Sequence, residues 1–317
     1  MHHILVPLDG SPAAEAVLPA AIAMAAACHA RLTLFHVVEK DGADRIHGQP
    51  HLTDGDAAQV YLQTVARLRA FNGLAVEVHV HRTQAADVAA SVVDHAEELH
   101  ADLVVLATHG RGGLRHFLFS RVAARAVERG TTPVLLIQPP AEAAAAAFRC
   151  RSILVPLDGV GDRHESAAVP MAAELAEGFQ AAVSLLAVVP TPATLSGSAA
   201  ATASFLPLVT REVLNLAERQ AAAYVDRTAE SLTAKGISAT GYISRGEPIG
   251  ALVEAVQALQ SDLVVMAAPG KPAAEAVWSG SLTARALEAL DRPLLVMPTA
   301  RFPAGQRDLS EHAQEGR

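Results

Sequence analysis

Short runs of β-branched and leucine side chains alternate along the first 138 residues with longer stretches rich in Ala, Leu and Glu. The short runs carry few polar residues, which is typical of strands covered on both faces, and the longer stretches have the length of helices. This alternation predicts five strands, at His3–Pro7, Arg31–Val38, Val76–His81, Asp102–Ala107 and Val134–Ile137, and four helices, at Ala13–Ala27, Asp56–Asn72, Ala86–His100 and Ser120–Gly130. Strands that alternate with helices form βαβ units with right-handed crossovers, so we expect a doubly wound α/β domain with a five-stranded parallel sheet.

The same pattern occurs twice. The heptapeptide Ile-Leu-Val-Pro-Leu-Asp-Gly stands at residues 4–10 and again, unchanged, at residues 153–159, an offset of 149. Two further matches have an offset of 160, residues 101–107 with 261–267 and residues 132–136 with 292–296. The second copy is therefore longer by 11 residues, which we place in its Ser-, Ala-, Thr- and Pro-rich segment 190–207.

This repeat predicts two tandem domains rather than a solenoid, because each copy is long enough to bury a core of its own. We expect domain one at residues 1–138, a linker at 139–150, domain two at 151–298 and a polar tail at 299–317. The runs Val134–Ile137 and Leu294–Met297 would be the outermost, fifth strands of the two sheets. Because an apolar edge strand invites pairing, the two copies are expected to pair with each other as a pseudo-twofold dimer within one chain, and the sequence leaves a further homodimer and an unidentified protein partner open.

Composition excludes several classes of function. The chain has 317 residues, 51% hydrophobic and 18% charged, so it can fold, but only 4% are aromatic, which leaves little material for base stacking. The net charge of −8 argues against nucleic acid as a partner. The apolar stretch Ala13–Ala27 is too short and too rich in alanine to cross a membrane. The absence of a signal peptide pattern and the two distant cysteines, Cys28 and Cys150, favour a cytoplasmic protein with buried thiols.

Glycines and polar residues concentrate after the first and fourth strands. Residues 7–11 read Pro-Leu-Asp-Gly-Ser, and residues 107–113 read Ala-Thr-His-Gly-Arg-Gly-Gly. In a strand order 3-2-1-4-5 these two strands are neighbours at the point where the order reverses, and ligands bind beyond the carboxyl ends of strands at that point. A glycine-rich strand exit can expose several backbone N–H groups to an anion, which indicates a phosphate site. The alternative is that the glycines only make a tight turn.

These segments, together with Thr-Pro-Val-Leu-Leu-Ile at residues 132–137, resemble the universal stress protein family in its tandem two-domain form. The resemblance covers nearly the whole chain and implies the adenine nucleotide alpha hydrolase-like fold. Many members bind ATP through Gly-x-x-Gly, nine residues and then Gly-Ser/Thr, with an Asp after the first strand near the ribose and a Val at the end of the second strand against adenine. Members act in stress responses or signalling rather than as efficient enzymes.

The resemblance carries over to copy one with one clear departure. The motif would begin at Ala107 and keep its second glycine, but its terminal Gly-Ser/Thr has become Ser120-Arg121, which places a long cation where a small hydroxyl should meet phosphate. The implied nucleotide site of domain one consists of Pro7, Asp9, Val37, Ala107, His109, Gly110, Arg111, Gly112, Gly113, Ser120 and Arg121.

Copy two keeps the other half of the motif. Its end, Gly280-Ser281, is intact, whereas Pro269 stands where copy one has a histidine and removes an N–H. The implied site of domain two consists of Pro156, Asp158, Val188, Ala267, Gly270, Lys271, Gly280 and Ser281. Lys271 could supply charge to a phosphate, so domain two is slightly favoured, while Arg111 and Arg121 could clamp a different anion in domain one.

Three functions remain open at this point. The first is binding of ATP or another adenine nucleotide, with Mg²⁺ or Mn²⁺ as a possible companion ion, linked to signalling. The second is a stress scaffold with vestigial pockets and no ligand. The third is slow ATP hydrolysis, for which the sequence offers no nucleophile with a base and no metal ligand beyond Asp9 or Asp158. His36, His79 and His81 could also meet at neighbouring strands, but their spacing matches no metal-ligand motif, so no metal site is expected.

Overall fold

The computed structural model describes residues 1–39, 45–46, 49–50, 52–68, 71, 73–108, 119–139, 148–157, 167–195, 197–268 and 282–298. In the first half the strands are β1 (His3–Pro7), β2 (Arg31–Glu39), β3 (Arg45–Ile46), β4 (Gln49–Pro50), β5 (Val76–Ala85), β6 (Leu103–Ala107) and β7 (Val134–Ile137). The helices of this half are α1 (Pro12–Glu15), α2 (Leu18–Cys28), α3 (Gly55–Leu68), α4 (Val88–Glu98) and α5 (Phe119–Arg129).

The second half repeats the main strands and helices of this succession, with a much longer helix α8. Its strands are β8 (Ser152–Leu157), β9 (Ala182–Val189), β10 (Ala239–Arg245), β11 (Leu263–Ala268) and β12 (Leu294–Pro298). Its helices are α6 (Ala168–Phe179), α7 (Gly197–Phe205), α8 (Pro207–Ala234), α9 (Pro248–Ala258) and α10 (Leu282–Ala289). The α/β class and the two tandem units expected from the sequence are confirmed.

Both halves have the strand order 3-2-1-4-5. The main strands of the first half run β5-β2-β1-β6-β7, and those of the second run β10-β9-β8-β11-β12. Every neighbouring pair within a half is parallel. In each half the chain first adds its second and third strands on one side of the first strand and then its fourth and fifth strands on the other side. The strand order therefore reverses between β1 and β6 and between β8 and β11.

The two sheets are joined through their fifth strands. β12 pairs antiparallel with β7, with Leu294 opposite Leu136 and Val296 opposite Val134, so the chain forms one ten-stranded sheet. The sheet is therefore not wholly parallel, because a pseudo-twofold axis between two like edges requires them to run in opposite directions. Both strands are buried along their length, so an apolar edge that would otherwise present unpaired N–H and C=O groups is covered.

Each face of the sheet carries one apolar layer that extends across both halves. Side chains alternate along a strand, so Ile4 and Val6 of β1 enter one layer and Leu5 the other, and the equivalent Ile153, Val155 and Leu154 of β8 do the same. All six are fully buried. This accounts for the uninterrupted apolar runs in the sequence, since neither face of a central strand meets solvent.

Direct contacts tie the halves together beyond the sheet. The Gln138 side-chain amide donates to the carbonyl oxygens of Leu287 and Leu290 at the end of α10, at 2.8 and 2.9 Å. On the other face α2 packs against α6, where a Cβ added to Gly178 would lie 2.6 Å from the carbonyl oxygen of Ala27. Only glycine permits this approach of the two helix backbones, so Gly178 has a packing role.

Several elements differ from the sequence-based expectation. The single helix expected at Ala13–Ala27 is broken, because α1 ends at Glu15 and α2 begins at Leu18, with Pro19 in its first turn, where the missing N–H costs no hydrogen bond. The strand expected to end at His81 continues to Ala85. The ribbon formed by β3 and β4 was not predicted, since two-residue strands leave no periodicity.

The insertion was expected within residues 190–207, but the structure places an extension after this segment, in the first turns of α8. Strand registers place Arg82 of β5 and Arg245 of β10 at equivalent positions, which gives an offset of 163. The buried pairs Ala58 with Ala221 and Leu62 with Val225 have the same offset. By this offset α8 starts 11 residues before the equivalent of the start of α3. Helix α7 precedes this extension, so the additional residues form helix rather than loop. Among the described residues, no helix is both long enough and apolar enough to cross a membrane.

A repeated aspartate connects the first and fourth strands of each half at their amino ends. One oxygen of Asp102 accepts hydrogen bonds from the backbone N–H groups of His2 at 2.6 Å and His3 at 3.2 Å. Asp262 accepts from Arg151 at 2.7 Å and Ser152 at 3.2 Å in the same way. The repeated Asp-Leu-Val-Val sequence thus stabilises the amino edge of the sheet, opposite the expected ligand site.

Replacing either aspartate with alanine removes the acceptor of two N–H groups. We expect Asp102→Ala and Asp262→Ala each to lower the free energy of unfolding by about 1–2 kcal/mol, and the double variant to lose roughly the sum because the sites lie in different halves. Urea unfolding followed by circular dichroism measures this. Asp102→Asn, which keeps an oxygen acceptor, is the control and should lose less; an unchanged midpoint for Asp102→Ala would contradict the role.

Both cysteines are free and shielded from solvent to different extents. Cys150 is buried and Cys28 is partly buried. Burial, assisted by the nearby Glu174 carboxylate, raises the pKa of the Cys28 thiol to about 11, and burial with Asp262 nearby raises the pKa of Cys150 to about 12. Neither thiol has the thiolate character that a reactive cysteine needs.

At pH 8 we therefore expect both thiols of the native protein to react with an aromatic disulfide reagent at least about 100-fold more slowly than in urea, because a pKa of about 11 leaves roughly one thiolate in a thousand. The absorbance of released thiolate measures the rate. Two fast equivalents from the folded protein would show that the thiols are accessible and ionised.

Candidate functional site

The first and fourth strands of each half end side by side at the carboxyl edge of the sheet. β1 is hydrogen-bonded to both β2 and β6, so the segments that follow these strands emerge together. Past the last residues of the strands, Leu8 N–H still donates to Phe35 O at 2.8 Å, and Thr108 N–H to Ile137 O at 2.7 Å. Backbone hydrogen bonds to the sheet thus continue past the ends of both strands, as far as Leu8 and Thr108. This is the strand-order reversal at which α/β sheets bind ligands.

The turn after β1 has a defined conformation. Asp9 Oδ1 accepts from Ser11 N–H at 2.9 Å, and Ser11 Oγ accepts from Ala14 N–H at 3.1 Å, which caps α1. Gly10 between them has φ of 88°, a left-handed conformation that glycine adopts without strain, and an added Cβ would lie 3.0 Å from a Leu52 side-chain carbon. The Asp-Gly-Ser sequence therefore keeps the Asp9 carboxylate partly exposed at the carboxyl edge.

His36 fastens this turn from below. Its ring nitrogens lie 2.7 Å from the carbonyl oxygen of Leu8 and 3.0 Å from that of Leu52, and the side chain is buried. Both partners are acceptors, so a ring nitrogen forms its bond only where it carries a proton. The ring joins β2, the exit of β1 and the segment before α3, and its role here is positioning.

The sequence-predicted residues fall into three groups. Those whose side chains are described lie at the strand ends: Pro7, Asp9, Val37 and Ala107 in the first half, and Pro156, Val188 and Ala267 in the second. Ser120 and Arg121 lie in the first turn of α5, where the backbone is described. The remainder lie outside the described residues: His109, Gly110, Arg111, Gly112, Gly113, Asp158, Gly270, Lys271, Gly280 and Ser281.

The two valines expected against a base lie at the ends of the second strands. Val37 is nearly covered, at 7% exposure, whereas Val188 is only partly buried. Both are followed by one more buried valine, Val38 and Val189. The end of the second strand is therefore aliphatic and nearly covered in the first half, whereas Val188 is more accessible in the second.

In each half, an ion pair that was not predicted from the sequence joins the helix after the glycine-rich segment to the carboxylate that precedes the neighbouring helix. Arg125 of α5 contacts Asp87 at 3.0 Å, and Arg285 of α10 contacts Glu247 at 2.7 Å. Each carboxylate also caps the preceding helix, α4 or α9, by accepting a backbone N–H bond. The bond from Gly250 N–H and the Arg285 guanidinium lower the pKa of Glu247. The sequence did contain a signal for these pairs, since the acidic residue and the arginine both recur at the offset of 160 that relates the two copies.

A second pair of arginines lies at equivalent positions of the third strands, Arg82 within β5 and Arg245 at the end of β10. Arg82 contacts the Asp56 carboxylate of α3 at 2.6 Å, and Arg245 forms an ion pair with Glu218 of α8. Hydrogen bonding from Arg245 lowers the pKa of Glu218. In the second half this pair closes a cavity of about 90 Å³ at the end of β9, well below the roughly 300 Å³ of a small-molecule site, so the cavity is too small to be the site itself.

The histidines do not form the trio considered from sequence. His79 and His81 lie opposite Phe35 and Val37 in the strand register, whereas His36 points to the other face of the sheet. They meet His95 of α4 instead, with His81 Nδ1 lying 3.2 Å from His95 Nε2 and His95 Nδ1 2.8 Å from Ser91 O. Within the described residues, no group of three His, Cys, Asp or Glu side chains is arranged to hold a metal ion.

Burial, with the neighbouring His95 and His81, lowers the pKa of His79. The folded state therefore favours neutral His79, and unfolding releases an imidazole that takes up a proton below about pH 6.5. We expect stability to be full above that pH and to fall as the pH drops below it. The variant His79→Gln should show a shallower loss than the parent between pH 7.5 and 5.5 in thermal unfolding scans. An equally steep loss in both would contradict this linkage.

Comparisons with known proteins agree with this geometry. The chain is 30% identical over 137 residues to a universal stress protein of Mycolicibacterium smegmatis, which covers 43% of this chain and 45% of that protein, so less than half of that relative is spanned. It is 32% identical over 126 residues to universal stress protein A homolog 1 of Coxiella burnetii, which covers 38% of this chain and 86% of that protein.

The fold is similar to the crystal structure of a universal stress protein from Archaeoglobus fulgidus, with a TM-score of 0.63 over 93% of this chain and 98% of that one. At 13% identity this likeness concerns the fold alone. The sequence model of the universal stress protein family matches residues 1–138 and 150–298, which are the two halves of the ten-stranded sheet. The chain therefore belongs to the universal stress protein family and contains two tandem domains of it.

Proposed function

We propose that this protein binds an adenine nucleotide, ATP in the first instance, at the carboxyl edge of the sheet in one or both halves, and that it acts in the stress response through this ligand. The observation that carries the proposal is the turn Asp9-Gly10-Ser11 at the strand-order reversal, where β1 and β6 are neighbours. The resemblance of the segments after these two strands to the nucleotide-binding motif of the family supports the proposal.

The described residues fit such a ligand in the first half. The Asp9 carboxylate is partly exposed and fixed by Ser11 N–H, which suits a hydroxyl donor such as a ribose. Gly10 brings backbone rather than a side chain to the edge, and Val37, which is nearly covered, is the aliphatic side chain that the resemblance implies next to the base. Pocket walls of this kind hold a base by apolar contact, which accords with the low aromatic content of the chain.

The residues that would contact the phosphates of the nucleotide favour the second half as the binding site. Gly280 and Ser281 stand in the sequence immediately before Leu282–Ala289, the part of α10 that the structure describes. A glycine and a hydroxyl suit the approach of a phosphate, and Lys271 adds positive charge. In the first half the sequence has Ser120 and Arg121 at the equivalent positions. A Cβ and a long cation there oppose the close approach of a phosphate.

Helix α10 would transmit the effect of nucleotide binding to the junction between the two halves. Arg285 and Glu247 fix α10 against α9, and the carbonyl groups at the carboxyl end of α10 accept hydrogen bonds from Gln138 of the first half. A phosphate at the amino end of α10 would therefore be bound one short helix away from the junction of the halves. Ligand-linked signalling follows if binding favours one arrangement of this junction.

Two alternatives make different predictions. A stress scaffold with vestigial pockets would carry no nucleotide, and a mass spectrum of small molecules released from freshly purified protein would then show none. A slow ATPase would release phosphate faster than an Asp9→Ala/Asp158→Ala double variant. The nucleotide-binding proposal expects a bound or titratable nucleotide and no such difference in phosphate release.

Isothermal titration of the full chain with ATP and AMP tests the proposal directly. We expect a measurable heat with ATP, and a loss of affinity of at least about tenfold in Lys271→Ala and Asp158→Ala, with a smaller loss in Asp9→Ala. Asp56→Ala is the matched control, since Asp56 is an exposed carboxylate that pairs with Arg82 and should leave affinity unchanged. Absence of heat with both nucleotides, with and without Mg²⁺, would overturn the proposal.

A further inference from the structure

The cavity at the end of β9 is built in part by residues of the α8 extension. Arg211, Leu214 and Asn215 line it, and all three lie in the additional residues at the start of this helix. The equivalent positions of the first half, residues 48, 51 and 52, precede α3 in the chain. The cavity therefore results from the extension of the second half rather than from the fold that the two halves share.

Burial changes from the inner end of the cavity to its mouth. Among the lining residues, Val189 is buried, Leu214 and Asn215 are half-buried, and Arg211 is exposed. The inner end is therefore aliphatic, while the guanidinium lies at the solvent side. A ligand that fits this arrangement has carbon at one end and a polar group at the other.

Two side-chain donors of the cavity wall are unpaired. Arg211 and Asn215 are one turn apart on α8, so they lie on the same side of the helix. Neither forms a hydrogen bond or an ion pair with another residue in the part of the chain that the structure describes. The other cation of the wall, Arg245, is paired, because it donates from Nε to Glu218 Oε1 at 3.0 Å and from a second nitrogen to the other carboxylate oxygen. The wall thus has one uncompensated positive charge beside a free amide, which selects an anion.

The backbone beside the cavity does not suit a phosphate. Phosphate sites use several free backbone N–H groups. Pro190 and Pro192 have none, and the N–H of Thr191 between them donates to Thr194 Oγ1 at 2.8 Å. The two proline rings present CH₂ groups to the cavity instead. An anion that carries hydrocarbon is therefore the better match.

The volume limits the ligand to a few atoms. A cavity of about 150 Å³ holds benzene with its six carbons. By proportion, the volume of about 90 Å³ encloses roughly three or four non-hydrogen atoms. This accommodates a short linear chain whose charged group stays at the mouth, and it excludes a nucleotide. A carboxylate at the mouth can accept two parallel hydrogen bonds from the Arg211 guanidinium.

We infer that this cavity binds a short-chain monocarboxylate of three or four carbons. Its carboxylate accepts hydrogen bonds from Arg211 and Asn215, and its hydrocarbon chain packs against Val189 and Leu214. Ligands of this size bind weakly, so we expect a dissociation constant of about 0.1–10 mM for butyrate. The inference goes beyond the nucleotide proposal, and either can fail alone, because none of these four residues belongs to the proposed nucleotide site.

Saturation-transfer NMR of the full chain with butyrate tests the inference. We expect transfer that is strongest at the terminal methyl group, since that end lies innermost. Arg211→Gln and Asn215→Leu should each weaken binding at least about fivefold in a titration, because each removes a donor to the carboxylate. Circular dichroism checks that both variants fold. Arg227→Gln, at an exposed arginine of the same helix outside the cavity, is the matched control and should leave the affinity unchanged.

The choice of ligand tests the charge and the size. Butyramide, which has the size of butyrate but no charge, should bind at least about fivefold more weakly. Hexanoate should bind no more tightly than butyrate, because its longer chain exceeds the enclosed volume. Saturating ATP should leave the transfer to butyrate in place.

Four results would overturn the inference. The first is an absence of transfer at about 20 mM butyrate, well above the expected dissociation constant. The second is an affinity unchanged in both Arg211→Gln and Asn215→Leu. The third is equal binding of butyramide, or an affinity that keeps rising to hexanoate, since either would indicate nonspecific apolar contact. The fourth is displacement of butyrate by ATP, because the carboxylate would then occupy the nucleotide site.

Discussion

The antiparallel pairing of β7 with β12 is the contact on which the whole architecture depends. Each half alone would end in a short, fully apolar fifth strand with unpaired backbone groups, which is an unfavourable surface in water. Pairing satisfies these groups and merges two five-stranded sheets into one with ten strands, so that the apolar layers on both faces continue from one half to the other. Because the tandem repeat places both edge strands in one chain, their effective concentration is high, which favours their pairing.

The repeat also shows which interactions belong to the fold and which to a site. The acceptor role of Asp102 recurs at Asp262, and the ion pair of Asp87 with Arg125 recurs in Glu247 with Arg285. These interactions lie at strand starts and between helices, where they stabilise the framework of each half. The glycine-rich segments differ between the copies, in that each keeps a different part of the phosphate-binding motif. Divergence at the carboxyl edge beside a preserved framework is expected where function resides in loops on a rigid scaffold.

The insertion in the second half adds a surface without disturbing this framework. The additional residues lengthen α8 along its own axis and add α7, so the strands of both halves keep the same order. A helix can be extended in this way at low cost, because each added residue completes its own backbone hydrogen bonds. Val209, Val213 and Leu216 of this extension are exposed, and the first half has no equivalent of this surface.

The sequence by itself indicated the α/β class and the two tandem domains, because apolar periodicity and an identical heptapeptide are local signals. The strand order, and a candidate site at the exits of the first and fourth strands, followed from the expected doubly wound fold. The sequence also showed that the second copy is longer, but it placed the additional residues at 190–207, whereas the extension of α8 begins at Pro207. Only the tertiary structure decided that His36 faces away from His79 and His81 and that His95 joins them, since the faces of two strands are compared only once their register is fixed. The arginine–carboxylate pairs, the approach of Gly178 to Ala27 and the exposure of Val213 likewise depend on distances between elements far apart in the chain. Such distances leave no mark in local patterning, because they are set by how the helices pack on the sheet.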